Sequence, residues 1–144
     1  MEALVKTTGR RIMGRLAKGD DLLRALGDHC AKAGITLGEV RAIGAVTKAR
    51  VGFYDQSGRV YTYLERDEDL EILSLIGNVS LKDGAPFVHA HVVFGDAQGK
   101  AWGGHLAEGC PVFACEFEIQ EYQADKAFER GLDKDTGLFL WVRK

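Results

Sequence analysis

The sequence predicts an α/β fold of the α+β kind: a single domain with a largely antiparallel sheet flanked by helices. Three observations predict it. One amphipathic helical pattern lies near the N-terminus, between Asp21 and Gly34. From Glu39 onward the chain reads as apolar segments separated by turn residues. Those segments follow one another at hairpin spacing instead of alternating with helices, which points to antiparallel neighbours.

Taken in order, Arg10 to Ala17 reads as a first strand. Gly19-Asp20-Asp21 supplies a carboxylate able to cap the free amides at a helix start. Leu22, Leu26, His29 and Ala33 then recur at helical spacing, with Leu23 and Cys30 beside them. Gly34 suits the left-handed residue that ends a helix. Val40 to Tyr54 is rich in β-branched and small residues, and Asp55-Gln56-Ser57-Gly58 marks a hairpin turn before Val60 to Leu64. Leu70 to Val79 reads as a central strand, apolar on both faces. Beyond the turn at Lys82 to Pro86 come Phe87 to Phe94, a second turn at Asp96 to Gly99, and a short strand from Ala101 to Leu106. Val112 to Tyr122 is the longest clean strand, and a short helix near Ala124 to Arg130 precedes a last apolar segment, Gly137 to Val142. No repeat, low-complexity tract or linker divides residues 1–144, so one domain is expected throughout.

Composition narrows the function classes. A chain of 144 residues with 46% hydrophobic and 28% charged side chains is long enough to bury one continuous core. No apolar run approaches the ~20 residues that span a bilayer. The first residues lack the order of a signal peptide, so a cytoplasmic location is expected, with no membrane partner. A formal net charge of -2 argues against a surface that clings to nucleic acid throughout. The local excess of Lys6, Arg10, Arg11, Arg15 and Lys18 reads as a solvated edge. Cys30, Cys110 and Cys115 cannot all pair and match no CxxC motif, so they are expected as reduced core thiols. Were Cys110 and Cys115 on one strand, their odd separation would place them on opposite faces.

The chemistry concentrates at His89-Ala90-His91. On a strand these imidazoles share a face, ~6.5–7 Å apart at Cα. Val88, Ala90, Val92 and Phe94 form the apolar, core-facing side. One hairpin turn later, Gly103-Gly104-His105 brings a third imidazole toward the pair, and paired glycines allow close backbone approach. Three imidazoles with an open fourth position suit Zn²⁺ or another divalent transition metal. His29 reads as a boundary residue of the helix. Glu116 and Glu118 stand on the long strand as candidates to orient the histidines or serve as a base, or simply as its solvent side. Glu71 needs a partner or water. Cys110, five residues past His105, is the thiol nearest this site in sequence. An HxH pair also opens the cupin metal motif, but Val92-Val93-Phe94-Gly95-Asp96 offers no following Glu, and a Leu-rich helix sits poorly with an all-strand jelly roll.

The chain resembles the PPC (plant-and-prokaryote conserved) domain family over nearly its whole length. The resemblance is carried by Arg15 to Leu22, Ala42 to Val46, Glu71 to Ser80, the run Asp83 to His91, Gly103-Gly104-His105-Leu106 and Val112 to Glu116. It implies an antiparallel sheet, a homotrimer formed through sheet surfaces, and a metal, typically zinc, on the HxH and GGH histidines, here His89, His91 and His105. It also implies the family's customary description as DNA-binding and regulatory. Thr8-Gly9-Arg10-Arg11-Ile12 lacks the proline and spacing of the AT-hook that reads DNA in the plant members. The reading is therefore a metal-binding homotrimer with a DNA-associated or regulatory role. The alternatives are a metal-dependent enzyme acting on a small-molecule ligand, and a protein–protein assembly module.

Overall fold

A computed structural model of the chain describes residues 5–126 and 128–142. Ten strands form one sheet: β1 (Val5–Leu16), β2 (Gly38–Val46), β3 (Ala49–Asp55), β4 (Val60–Arg66), β5 (Leu70–Lys82), β6 (Ala85–Gly95), β7 (Ala101–Leu106), β8 (Val112–Ala124), β9 (Glu129–Leu132) and β10 (Phe139–Val142). Helix α1 (Leu22–Ala33) is the one helix among the described residues. Along the sheet the order is β1-β8-β2-β5-β6-β7-β3-β4, and every neighbouring pair on that path is antiparallel. No helix among the described residues is long and apolar enough to cross a membrane.

The helix forms where the sequence places it. Asp21 caps it by accepting from the Arg24 amide at 3.1 Å, and its second oxygen accepts from the amides of Gly109 and Cys110 at 2.7 and 3.1 Å. One carboxylate thereby satisfies a free helix amide and ties the helix start to the loop before β8. Gly34 ends the helix at φ 66°, in the left-handed region where a side chain would be strained. Leu22, Leu26 and Cys30 lie along the inward stripe of α1, and with Val40, Val92, Phe94 and Ile119 they make a dry core on one face of the sheet. All three thiols are free and buried, and burial pushes each up to about 11. Cys110 precedes β8 instead of sharing it with Cys115, so both reach the core.

Two expectations fail. The stretch Ala124 to Arg130 is not helical: β8 runs to Ala124, and Glu129 starts strand β9, which pairs in parallel with Leu81 and Lys82 of β5 (Ala127 lies outside the described residues). The sheet is thus flanked by one helix, not several. Nor is β5 buried on both faces, since Leu73 and Ile76 are 53% and 59% exposed. The helix covers one face of the sheet and leaves much of the other open.

The basic stretch near the N-terminus lies mostly on β1, an edge strand, where Arg10 and Arg11 pair with β8. At a register shift between Thr8 and Arg11, Glu121 accepts from the Arg10 backbone amide at 3.0 Å, from Nε at 2.9 Å and from Nη2 at 2.8 Å. Arg11 pairs with Glu118 at 2.8 Å. The bonds from Arg10 hold the Glu121 carboxyl down to about 2, first through the guanidinium and then through the backbone amide. A carboxylate depressed on folding stabilises the fold above its ordinary value and loses that contribution as pH falls toward the folded value. Glu121→Gln is therefore expected to lower the melting temperature at pH 7. The gap from wild type should narrow as pH drops below 4.5 toward 2, as followed by circular dichroism. A gap independent of pH would mean that the ion pair contributes nothing.

Candidate metal centre

Alternation along β6 sorts its side chains into two environments. Val88, Ala90, Val92 and Phe94 are buried in the core beside α1, whereas His89 is half-buried and His91 exposed on the opposite face. Strand β7 pairs with β6 so that His105 lies directly across from His91. Ring centroids are 5.3 Å apart for His89 and His91, 4.9 Å for His89 and His105, and 5.5 Å for His91 and His105. One nitrogen from each ring lies within 4.8 Å of the others.

The register that delivers His105 depends on Gly103. A Cβ there would stand 2.1 Å from the Val92 carbonyl oxygen, backbone that cannot swing aside. Only a residue without a side chain lets β7 approach β6 this closely.

The electrostatics favour the neutral form of His89 and His105. His89 is pushed down to about 4, chiefly by burial, then by Arg130, His105 and His91. His105 is lowered too, by burial first and then by His91 and Arg130. Neutral imidazole is the form that donates a lone pair to a cation. Nδ1 of His105 is buried and has no hydrogen-bond partner. A buried polar atom left this way costs free energy unless something outside the chain meets it. A tetrahedral zinc site with Zn–N of about 2.0–2.1 Å spaces its nitrogens about 3.3 Å apart. The three rings stand within a small side-chain adjustment of that spacing, so the residues present fit such an ion.

The histidines open into a cleft of about 920 Å³ on the sheet face away from α1. The β3–β4 hairpin and the turn before β10 wall it. Tyr54 donates to the Thr136 carbonyl at 2.7 Å, and Arg59 donates to the carbonyls of Lys134 and Asp135 at 3.2 and 3.0 Å, which fastens the two walls together. The Tyr61 ring packs against that of His105 at 5.1 Å, tilted by 39°. On the third side Arg130 enters from β9, only 8% exposed.

His29 lies on α1 against Phe117, on the core side of the sheet, away from the other three. Glu116 and Glu118 do not reach the site: β8 is separated from β6 by β2 and β5, and Glu118 pairs with Arg11. Glu71 is exposed to water, which answers its need for a partner. Cys110 is buried in the core, its sulfur against the Arg50 backbone, and takes no part. Sequence reasoning missed Arg130, Lys82 and Tyr61. The Tyr61-Thr62-Tyr63 alternation is a local signal that could have placed an aromatic face beside the site. Arg130 carries no such signal, because its place beside the histidines depends on the parallel pairing of β9 with β5, some fifty residues away in sequence.

The model of the Plants and Prokaryotes Conserved (PCC) domain matches residues 4–123. The chain belongs to that family. A metal-containing protein of Archaeoglobus fulgidus has a solved structure that superposes with a TM-score of 0.93 at 42% identity, covering 99% of each chain. A plant- and prokaryote-conserved (PPC) protein of Pyrococcus horikoshii gives 0.90 at 38% identity over 96% of this chain and 94% of that one. A protein of Bacteroides thetaiotaomicron, described as a candidate DNA-binding protein, gives 0.85 at 25% identity over 97% and 96%. The bifunctional protein GlmU of a Synechococcus strain is 35% identical over 132 residues, 90% of this chain, and the chain spans only 20% of that relative's length. The PCC-domain fold and the HxH and GGH histidines thus stand together in one chain.

Gly103→Ala is expected to destabilise the protein by about 1–3 kcal/mol, the usual cost of forcing atoms into a packed site. It should also displace His105. Thermal unfolding measures the first effect, and zinc retention after dialysis the second. Unchanged values for both would show that β7 can shift freely on β6.

Proposed function

We propose that this PCC-domain protein is a homotrimer that holds one divalent transition-metal ion, zinc foremost, on His89, His91 and His105. The observation that carries the reading is the cage of three imidazoles, one with an unpartnered buried nitrogen, at the floor of an open cleft. The metal-containing relative from Archaeoglobus fulgidus supports it. When bound, such an ion supplies a Lewis acid with coordination positions left for water or a ligand. The chain's own residues do the rest. Tyr61 holds the His105 ring by packing against it, and the fastened walls limit access to one side. Those features favour a small-molecule role, enzymatic or sensing, over a purely structural ion.

Protein purified without chelator is expected to carry near one divalent ion per chain. Single replacement of His89, His91 or His105 by Ala should strip most of it, while His29→Ala should not. Elemental analysis after identical dialysis is the measurement. Loss in His29→Ala equal to that in His91→Ala would place the site elsewhere.

The assembly reading is supported by the sheet face opposite α1. Ile43, Leu73, Ile76, Val93 and Phe113 are exposed there, and a large uncovered apolar surface is costly in water. Copies of the same chain are the occupants proposed. Light scattering should give about three times the 15.8 kDa chain mass. Ile76→Asp should shift the protein toward monomer with its circular dichroism retained, and a wild-type monomer at micromolar concentration would sink the idea. A DNA-associated role has less support. Net charge is -2, and Arg10 and Arg11 are engaged by Glu121 and Glu118. Any duplex binding should be weak and lost at modest salt.

A further inference from the structure

Arg130 is the most unusual charge in the molecule. Its guanidinium is buried, and it donates Nε to Ser80 Oγ at 3.0 Å, Nη2 to Asn78 Oδ1 at 2.7 Å and Nη1 to the Phe139 carbonyl at 3.1 Å. All three acceptors are neutral. No carboxylate among the described residues forms an ion pair with it. Buried charges are ordinarily paired, because the cost of desolvation is recovered only from an opposite charge and well-made hydrogen bonds. A guanidinium has five N–H donors. Three are used here, so one on each Nη has no acceptor among the described residues. Asn78 lies across from His89 in the β5–β6 register, which sets Arg130 beside the histidines. Lys82 adds a second cation on the same wall, its Nζ 4.5 Å from the Phe139 ring centre and 5.2 Å from that of Phe87. Arg59 stands at the mouth, and the one acidic side chain there, Asp135, is exposed.

We infer that the cleft binds a small organic anion, its carboxylate or phosphate head between Arg130, Lys82 and the three histidines and its apolar body against Phe87, Leu138 and Phe139. The charge balance favours a negative group, since three cationic side chains, Arg130, Lys82 and Arg59, line a cleft whose lining offers one carboxylate, that of Asp135. The volume of about 920 Å³ and the aromatic walls suit a body the size of a substituted ring. Paired N–H donors on Arg130 match the two oxygens of a carboxylate or phosphate. This deepens the metal reading without depending on it. An ion on the histidines would add positive charge and a coordination position beside the anionic head, but the two unused N–H donors of Arg130 favour an anion with or without one.

The test uses the full chain, once dialysed against chelator and once reloaded with zinc. Calorimetric titrations employ benzoate, phenyl phosphate, inorganic phosphate and uncharged benzyl alcohol. Benzoate or phenyl phosphate should bind the metal-free protein, more tightly than inorganic phosphate, and benzyl alcohol should not. Which of the two binds better identifies the head group. Lys82→Gln, at a partly exposed position, should keep the fold and weaken binding about tenfold, as expected for losing one charged hydrogen-bonding partner. Arg130→Gln should abolish it. Because this second change could disturb folding, its circular dichroism is compared with wild type, and if the spectra differ Lys82→Gln alone decides. No anion binding in either form overturns the inference. So does binding that appears only with zinc and is unaltered in Lys82→Gln, which would make the anion a metal ligand alone. Anion binding by metal-free protein that fails to retain zinc would uphold the inference and remove the metal reading.

Discussion

The β6–β7 register is the constraint on which the rest depends. His91 faces His105 because Gly103 lets the two backbones come close, and His89 joins them because alternate residues of one strand share a face. Shifting that pairing by one residue would exchange Leu106 for His105, placing an imidazole in the core and a leucine among the histidines. The core therefore guards the site. Phe94 packs on Trp102, and Val92 lies beneath α1 with Leu22 and Leu26, so the apolar face fixes the register that the polar face uses.

What was legible in the sequence is what is local. Asp21 and Gly34 bounded the helix because capping is decided within a few residues. His89, His91 and His105 were legible because a strand period of two and one hairpin turn suffice to bring them together. The misreadings all involve distant partners. Ala124 to Arg130 looked helical until β5 is seen to offer it an edge, and no residue nearby announces that edge. Glu116 and Glu118 were candidates because they lie on a long strand with a polar face, but strand order puts two strands between them and the histidines. Leu70 to Val79 read as buried on both sides, which holds for a sheet sandwiched between layers and not for one with a single helix on one face.

The same burial that makes the histidines good donors makes Arg130 a strained neighbour. Desolvation drives His89 and His105 toward the neutral form and lowers the Arg130 value as well. For an imidazole, neutrality is an available answer. For a guanidinium it is not, so the charge persists and polarises whatever occupies the cleft.

The cleft walls and the histidines come from different parts of the chain. The family model ends at residue 123, whereas Arg130, the turn at Thr136 and Phe139 follow it in the chain. His89, His91 and His105 lie within the matched segment, and one wall of the chamber above them lies beyond it. Substitutions in that wall can alter which molecules enter without touching the cage or the hydrophobic core. The three histidines and that wall of the chamber above them are therefore free to vary independently in this chain.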